Sequence, residues 1–366
     1  MDTAAGVRAQ RVVLFDEDDP LRLACGRELA PVEVAFETYG RLDADASNAV
    51  YVCHALTGDA HAIAPDGWWR TLVGPGLPVD TERFFVICPN LLTGCKGTTG
   101  PASVDPRTGR PYGLGFPPIA MRDLVAVHRR LCEHLGVRRL HAGIGGSLGG
   151  MQVLQWLLDF PDEVARAALV CVSGRLSEQN LALSAAARGA ILADPGFNDG
   201  QYAVAGTRPE VGLATARRLA HVTYLAESGM ERKFRRPAEP DQAPPADARE
   251  WLASRYPVEH YLDHQAKIFL ARFDALTYLY LSRVMDGFDP FAAPGRVHPD
   301  LRALVLSFSS DWRFGPSHGV RIAEALRERG AGSVEWDVIE TDAGHDAFLL
   351  DVPGYQERVA AFLAAP

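Results

Sequence analysis

The chain has 366 residues, 47% of them apolar, and a formal net charge of -9 with both signs mixed along its length. That is enough for an α/β core carrying an insertion, and it excludes the concentrated basic face that nucleic-acid binding needs. No run approaches the ~18 apolar residues of a membrane helix, the N-terminus MDTAAGVRAQ has no basic-then-apolar leader, and the six cysteines form no C-x-x-C pair, so the expectation is a cytoplasmic chain of free thiols without a metal site or disulfides.

Residues 1–30 read as polar and irregular, with an acidic patch at Asp16, Glu17, Asp18 and Asp19. Residues 32–39 alternate in part and predict an outer strand. Residues 48–55 (NAVYVCHA) form a continuous apolar run, the mark of a strand buried on both faces. It leads into a loop holding His54 and His61, which no carboxylate at ligand spacing completes as a metal site. Residues 84–88 (FFVIC) predict a second buried strand. A Gly-, Pro- and Thr-rich loop over 90–118 follows, and a loop this long is usually functional. Residues 119–135 predict an amphipathic helix closed by Gly136.

Residues 140–160 (LHAGIGGSLGGMQVLQWLLDF) are the centre of the chain. An apolar run, 140–144, enters Gly145-Gly146-Ser147-Leu148-Gly149-Gly150, and a helix-period segment follows until Pro161. Gly145, Ser147 and Gly149 fit G-x-S-x-G, in which a serine sits on a sharp strand-to-helix turn. Residues 164–172 predict another buried strand, which extends a mostly parallel sheet with helices on both faces. The rhythm then changes. Residues 176–285 carry helical patterns, with a linker expected at 237–245 and a short basic cluster (Arg232, Lys233, Arg235, Arg236) that reads as a solvated helix end. From residue 301 the earlier rhythm resumes: strand 301–308, helix 317–329, strand 334–339, helix 348–364. The expected division is core 1–175, helical lid 176–294, core 295–366.

A serine nucleophile needs a base, and the base needs an acid to orient it. In α/β-hydrolases, whose elbow this turn resembles, the chain order is Ser, acid, His, with acid and base just past late strands. Asp311 follows the strand at 301–308 and His345 follows the strand at 334–339. The rival His318 opens a helix, and His221, His260 and His264 lie in the lid. The expected triad is Ser147, Asp311 and His345. The N–H groups of Leu148 and Leu56 are the expected oxyanion donors.

The motifs His54-Ala55-Leu56-Thr57-Gly58, Gly67-Trp68-Trp69, Gly94-Cys95-Lys96-Gly97-Thr98-Thr99-Gly100-Pro101 and Gly145 to Gln152 occur in order, as do Leu176 to Asn180, His221-Val222-Thr223-Tyr224-Leu225, Phe273-Asp274-Ala275, Ser310-Asp311-Trp312 and Gly344 to Phe348. Together they resemble the homoserine O-acyltransferases of the MetX type, from about residue 30 onward. The resemblance implies an α/β-hydrolase fold whose helical lid dimerises. It implies ping-pong acyl transfer from an acyl-CoA co-substrate to the hydroxyl of L-homoserine in methionine biosynthesis, without a resident cofactor. Arg217 would bind the substrate carboxylate and Asp346 its ammonium, with Tyr224 in the same pocket. Arg313 resembles the succinyl-CoA branch rather than the acetyl-CoA branch. The chain departs from the family at Asn180-Leu181-Ala182-Leu183-Ser184 in the first lid helix. An esterase on the same fold, and a non-catalytic interaction domain, are the alternatives that fold alone leaves open.

Overall fold

The computed structural model describes residues 8–235, 246–254 and 256–365. Its frame is a sheet of β1 (Arg8–Phe15), β2 (Val32–Tyr39), β3 (Ala49–Cys53), β4 (Phe85–Pro89), β5 (Ala142–Gly146), β6 (Arg166–Val170), β7 (Arg302–Phe308) and β8 (Ser333–Ile339). The strand order is β1-β2-β4-β3-β5-β6-β7-β8. The β1–β2 and β2–β4 pairs are antiparallel, and every other pair is parallel.

The continuous apolar strands are buried on both faces, as the sequence requires. β3 sends Tyr51 and Cys53 into one core and Val50 and Val52 into the other. β7 does the same with Val305 on one side and Leu304, Leu306 and Phe308 on the other. Helices α1 (Met121–His134) and α2 (Leu148–Asp159) close the first core through Leu124, Leu131, Met151 and Leu154. The second core is closed by Trp69 and by Tyr355 and Phe362 of the C-terminal helix.

Between β6 and β7 the chain forms α3 (Glu178–Leu192), α4 (Glu210–Tyr224), α5 (Glu227–Phe234), α6 (Pro257–Arg272) and α7 (Ala275–Asp286), with shorter turns between them. These helices share their own apolar cluster, which includes Ile191, Leu213, Phe269 and Leu276. α8 (Pro316–Glu328) joins β7 to β8, and α9 (Tyr355–Ala364) ends the described chain. Among the described residues no helix is long and apolar enough to cross a membrane. Cys53, Cys88, Cys132 and Cys171 are buried free thiols, Cys95 is partly buried and Cys25 is exposed.

Two expectations are corrected. Within the stretch expected to be irregular, residues 8–15 are the edge strand β1, so residues 32–39 lie one strand in from the edge. The single helix expected over 348–364 is a 3₁₀ turn, Gly344–Leu349, then α9, broken at Pro353-Gly354 where Gly354 takes φ 86°. The long loop over 90–118 braces the sheet and the lid. Thr98 and Thr99 accept the Ala35 and Glu33 amides of β2 through their hydroxyls, and Thr93 accepts Thr277 Oγ1 from α7. The described part of the basic cluster is the solvated helix end expected of it: Arg232, Lys233 and Arg235 are exposed at the end of α5, where Arg232 pairs with Asp342 and the Lys233 ammonium lies 4.1 Å from the centre of the Tyr261 ring. Arg236 and the linker expected at 237–245 lie outside the described residues.

Candidate active site

β5 runs into the turn at Ser147, and α2 begins at the next residue. Ser147 takes φ 55° and ψ -124°, a strained conformation for a residue with a Cβ. The turn persists because its surroundings fix it. The Ser147 amide donates to the Val170 carbonyl at 3.0 Å. A Cβ on Gly149 would lie 2.0 Å from the Cys53 carbonyl oxygen, and one on Gly145 would lie 2.3 Å from the Gly149 backbone. The elbow glycines therefore set how closely strand and helix approach.

The three expected triad residues meet at this turn. His345 Nε2 lies 2.9 Å from Ser147 Oγ, and His345 Nδ1 lies 2.7 Å from Asp311 Oδ2. The other Asp311 oxygen accepts the amides of Arg313 and Phe314, each at 2.9 Å. An ionised carboxylate only accepts, so Nδ1 carries the imidazole proton and Nε2 is free to accept from the serine hydroxyl. Burial pushes Asp311 up, but His345 and the two amides outweigh it and hold the carboxyl below its ordinary value. The imidazole is boxed by Phe314 edge-on at 5.2 Å and by Tyr224 and Phe348, each at 5.9 Å.

The rival histidines are accounted for. His318 Nδ1 pairs with Ser173 Oγ at 2.8 Å. His61 Nδ1 pairs with Glu37 at 2.9 Å, and His54 is buried in a backbone network. His260 and His264 are exposed. His221 is buried between Tyr224 and Tyr261, and burial followed by Arg217 and Lys233 pushes it down to about 3. Cys171 is a neighbour the sequence did not single out. Its thiol, with atoms of Asp311 and His345, falls within a 4.8 Å cluster. Asp311 and His345 already hold each other, and burial pushes the Cys171 thiol well above its ordinary value, so it packs here as a neutral thiol.

Ser147 opens onto a cavity of about 150 Å³. Leu56 lies in its wall, and Leu148 is the first residue of α2, where helix amides have no partner within the helix. Arg217, Tyr224 and Asp346 also line it. The two adjacent arginines of α4 differ. Arg218 is paired with Asp263 at 2.8 Å. Arg217 has no carboxylate within 4 Å among the described residues, its Nε is buried without a partner, and its guanidinium lies 4.7 Å from the centre of the Phe269 ring. Burial raises Asp346 above its ordinary value, against the pull of His345, Arg217 and Lys233.

Arg313 is not in the cavity wall. It lies 5.8 Å from the ring of Tyr224, which does line the cavity, and donates to Thr223 Oγ1 at 3.2 Å. Asn180, in the segment that departs from the family pattern, holds the Arg313 carbonyl at 2.8 Å. Among the cavity residues to which sequence reasoning assigned no role are Trp68 and Arg272. Arg272 is the last residue of α6 and donates to the Thr57 carbonyl at 2.9 Å. A cation at a helix C-terminus looks like dipole compensation, which conceals this contact. The signals that could have found them were the Gly67-Trp68-Trp69 motif and the position of Arg272 just before Phe273-Asp274-Ala275.

A family model described as the alpha/beta hydrolase fold matches residues 48–352. A homoserine O-succinyltransferase of a Nocardioides species is 52% identical, over 98% of this chain and 98% of its own. A homoserine O-acetyltransferase of Rhodopseudomonas palustris is 46% identical, over 97% and 90%. Among solved structures, homoserine O-acetyltransferase from Bacillus anthracis superposes with a TM-score of 0.85 at 25% identity, over 98% of each chain. Esterase E22 superposes with a TM-score of 0.84 at 26% identity, over 98% of this chain and 100% of that one. With the elbow, the hydrogen-bonded Ser147, His345 and Asp311 and the cavity above them, these likenesses make the chain an acyltransferase that belongs to the homoserine O-acyltransferases of the alpha/beta hydrolase superfamily.

Proposed function

We propose that this enzyme moves an acyl group from an acyl-CoA to the side-chain hydroxyl of L-homoserine through an acyl-Ser147 intermediate, as a step of methionine biosynthesis. The observation that carries this reading is a hydrogen-bonded Ser147–His345–Asp311 chain opening into a small cavity that also holds Arg217 and Asp346. A zwitterion needs a guanidinium fork and a carboxylate, and the cavity offers Arg217 and Asp346.

In the first half-reaction Ser147 Oγ attacks the thioester carbon while His345 Nε2 takes the hydroxyl proton. The N–H groups of Leu56 and Leu148 hold the oxyanion. The C–S bond breaks, and CoA leaves as its thiol with the proton from His345. In the second half-reaction His345 takes the homoserine hydroxyl proton, that oxygen attacks the acyl carbon, the bond between that carbon and Ser147 Oγ breaks, and the proton returns from His345 to Ser147 Oγ. Asp311 keeps the imidazole in its working tautomer and stabilises its cation. Arg217 holds the amino-acid carboxylate and Asp346 its ammonium, with Tyr224 in the wall of the same cavity. No resident cofactor enters these steps.

We propose succinyl as the acyl group, with acetyl as the alternative. In support, Arg313 has no carboxylate within 4 Å among the described residues and lies 5.8 Å from the ring of Tyr224, which lines the cavity, and the 52% identical relative bears the succinyltransferase name. A cytoplasmic homodimer built through the helical lid is part of the same reading. Val211, Trp251 and Leu252 are 76%, 61% and 75% exposed there, which is apolar surface a partner would cover.

The likeness to esterase E22 favours one second reading, hydrolysis of small esters. Steady-state CoA release with and without L-homoserine separates the two. A transferase releases CoA continuously only when the amino acid is present. Release at the same rate in its absence would establish the hydrolase.

A further inference from the structure

Gln152 lies on α2, four residues after Leu148, and is fully buried. Its Nε2 donates to two backbone carbonyls, His54 and Leu148, each at 3.1 Å. Its Oε1 lies 2.9 Å from His128 Nε2. Because carbonyls only accept, the amide nitrogen must face them, and the amide oxygen must accept a hydrogen bond from the His128 Nε2–H.

The network continues on the far side of the loop. Leu91 donates its amide to His54 Nε2 at 3.2 Å, so the His54 proton is on Nδ1, which donates to the Ala55 carbonyl at 2.7 Å. Burial holds both imidazoles neutral, pushing His54 below its ordinary value and His128 down to about 4. Tyr51 and Trp156 enclose His128 at 5.2 and 6.1 Å. A polar cluster in such surroundings gains little net stability over apolar packing of the same shape. What it adds is a fixed register between the groups it joins.

Those groups are the two segments that carry the expected oxyanion donors. Leu56 is two residues beyond the His54 carbonyl, and Leu148 owns the other carbonyl. We infer that Gln152 is a positioning residue: by bridging His54 and Leu148 it sets the distance between the loop at 54–58 and the nucleophile turn, and so aligns the two N–H groups on the developing oxyanion. This rests on the acyl-serine reading of the site.

The test uses Gln152→Met, which keeps length and burial but removes both bridges. Losing a whole oxyanion donor typically costs ~10²–10³ in kcat, so misplacing one predicts a loss of roughly 10- to 100-fold. That loss should appear in both half-reactions, with the L-homoserine KM within about 3-fold, because both pass through an oxyanion and neither acceptor contact is touched. Affinity for a tetrahedral boronic-acid inhibitor should fall with kcat. Where Gln152→Met fails to fold, His128→Phe, which removes only the hydrogen bond donated to the amide oxygen, should give a smaller loss in the same direction. A folded variant with unchanged kcat and inhibitor affinity, or one altered only in KM, overturns the inference. Ser147→Ala is assayed alongside. Activity surviving in that variant would overturn the acyl-serine reading itself, whereas an inactive Ser147→Ala with a fully active Gln152→Met would sink the inference alone.

Discussion

Arg217→Ala should damage use of the amino acid and spare formation of the acyl-enzyme. In the structure Arg217 has no carboxylate within 4 Å among the described residues, and its buried Nε has no partner. A substrate carboxylate there would gain hydrogen bonds that replace no protein partner. A bond of this charge-assisted kind contributes about 1.5–3 kcal/mol, which is roughly 10- to 150-fold in the KM for L-homoserine. A second consequence follows from Asp346. Arg217 is one of the charges that pull its carboxyl down against burial, so removing Arg217 lets Asp346 rise further. The acid limb of kcat/KM for the amino acid should therefore move to higher pH in the variant. Arg217→Lys keeps a charge but loses the planar fork, and should restore only part of the affinity. The assay varies L-homoserine at saturating acyl-CoA, with the initial CoA burst as a measure of acylation. An unchanged amino-acid KM, or a burst that falls as much as turnover does, would refute the assignment.

Asp346 must be ionised to hold an ammonium, and burial raises its pKa. On acidification it takes up its proton earlier than an ordinary aspartate, and kcat/KM for L-homoserine should fall as pH drops through that value. In Asp346→Asn that limb should vanish from the pH profile; its persistence would assign the titration to another group. Arg313→Leu should lower kcat/KM for succinyl-CoA relative to acetyl-CoA, but by less than the ~10-fold or more of a direct charge-assisted contact, because Arg313 lies outside the cavity wall. A wild type that prefers acetyl-CoA, or a variant with the wild-type donor ratio, would remove Arg313 from donor choice. Gly149→Ala would push a Cβ to 2.0 Å from the Cys53 carbonyl oxygen in the central sheet, and should cost ~1–3 kcal/mol or more in denaturant unfolding. A wild-type midpoint would show that the elbow can relax.

Much of the site was legible because its geometry is local. The elbow occupies six consecutive residues, and its glycines have one steric reason, the approach of α2 to β5 and β3. Asp311 and His345 were findable because each lies a short turn past one of the last two strands, Asp311 after β7 and His345 after β8. β1 was not, because RAQRVVLF is an edge strand with a polar start and its antiparallel partner lies beyond a two-residue hairpin pair, Leu21–Arg22 with Glu28–Leu29. The C-terminal helix was drawn too long because its apolar period runs straight through Pro353-Gly354, whose turn chemistry should have taken precedence. The different environments of Arg217 and Arg218 depend on Asp263, Phe269 and the cavity, all distant in sequence, so no spacing rule could tell them apart. Gln152 was hidden for the same reason: on a helix face of apolar neighbours it looks like one more core position until its two carbonyls are seen.

The central claim, that Ser147 carries the acyl group between two half-reactions, is tested most directly by mixing the enzyme with acyl-CoA in the absence of amino acid and weighing the peptide that contains Ser147. The account predicts one acyl group on Ser147, one equivalent of CoA released, and loss of that mass together with appearance of O-acyl-homoserine when L-homoserine is added. An enzyme that turns over both substrates while Ser147 never gains the acyl mass would contradict it.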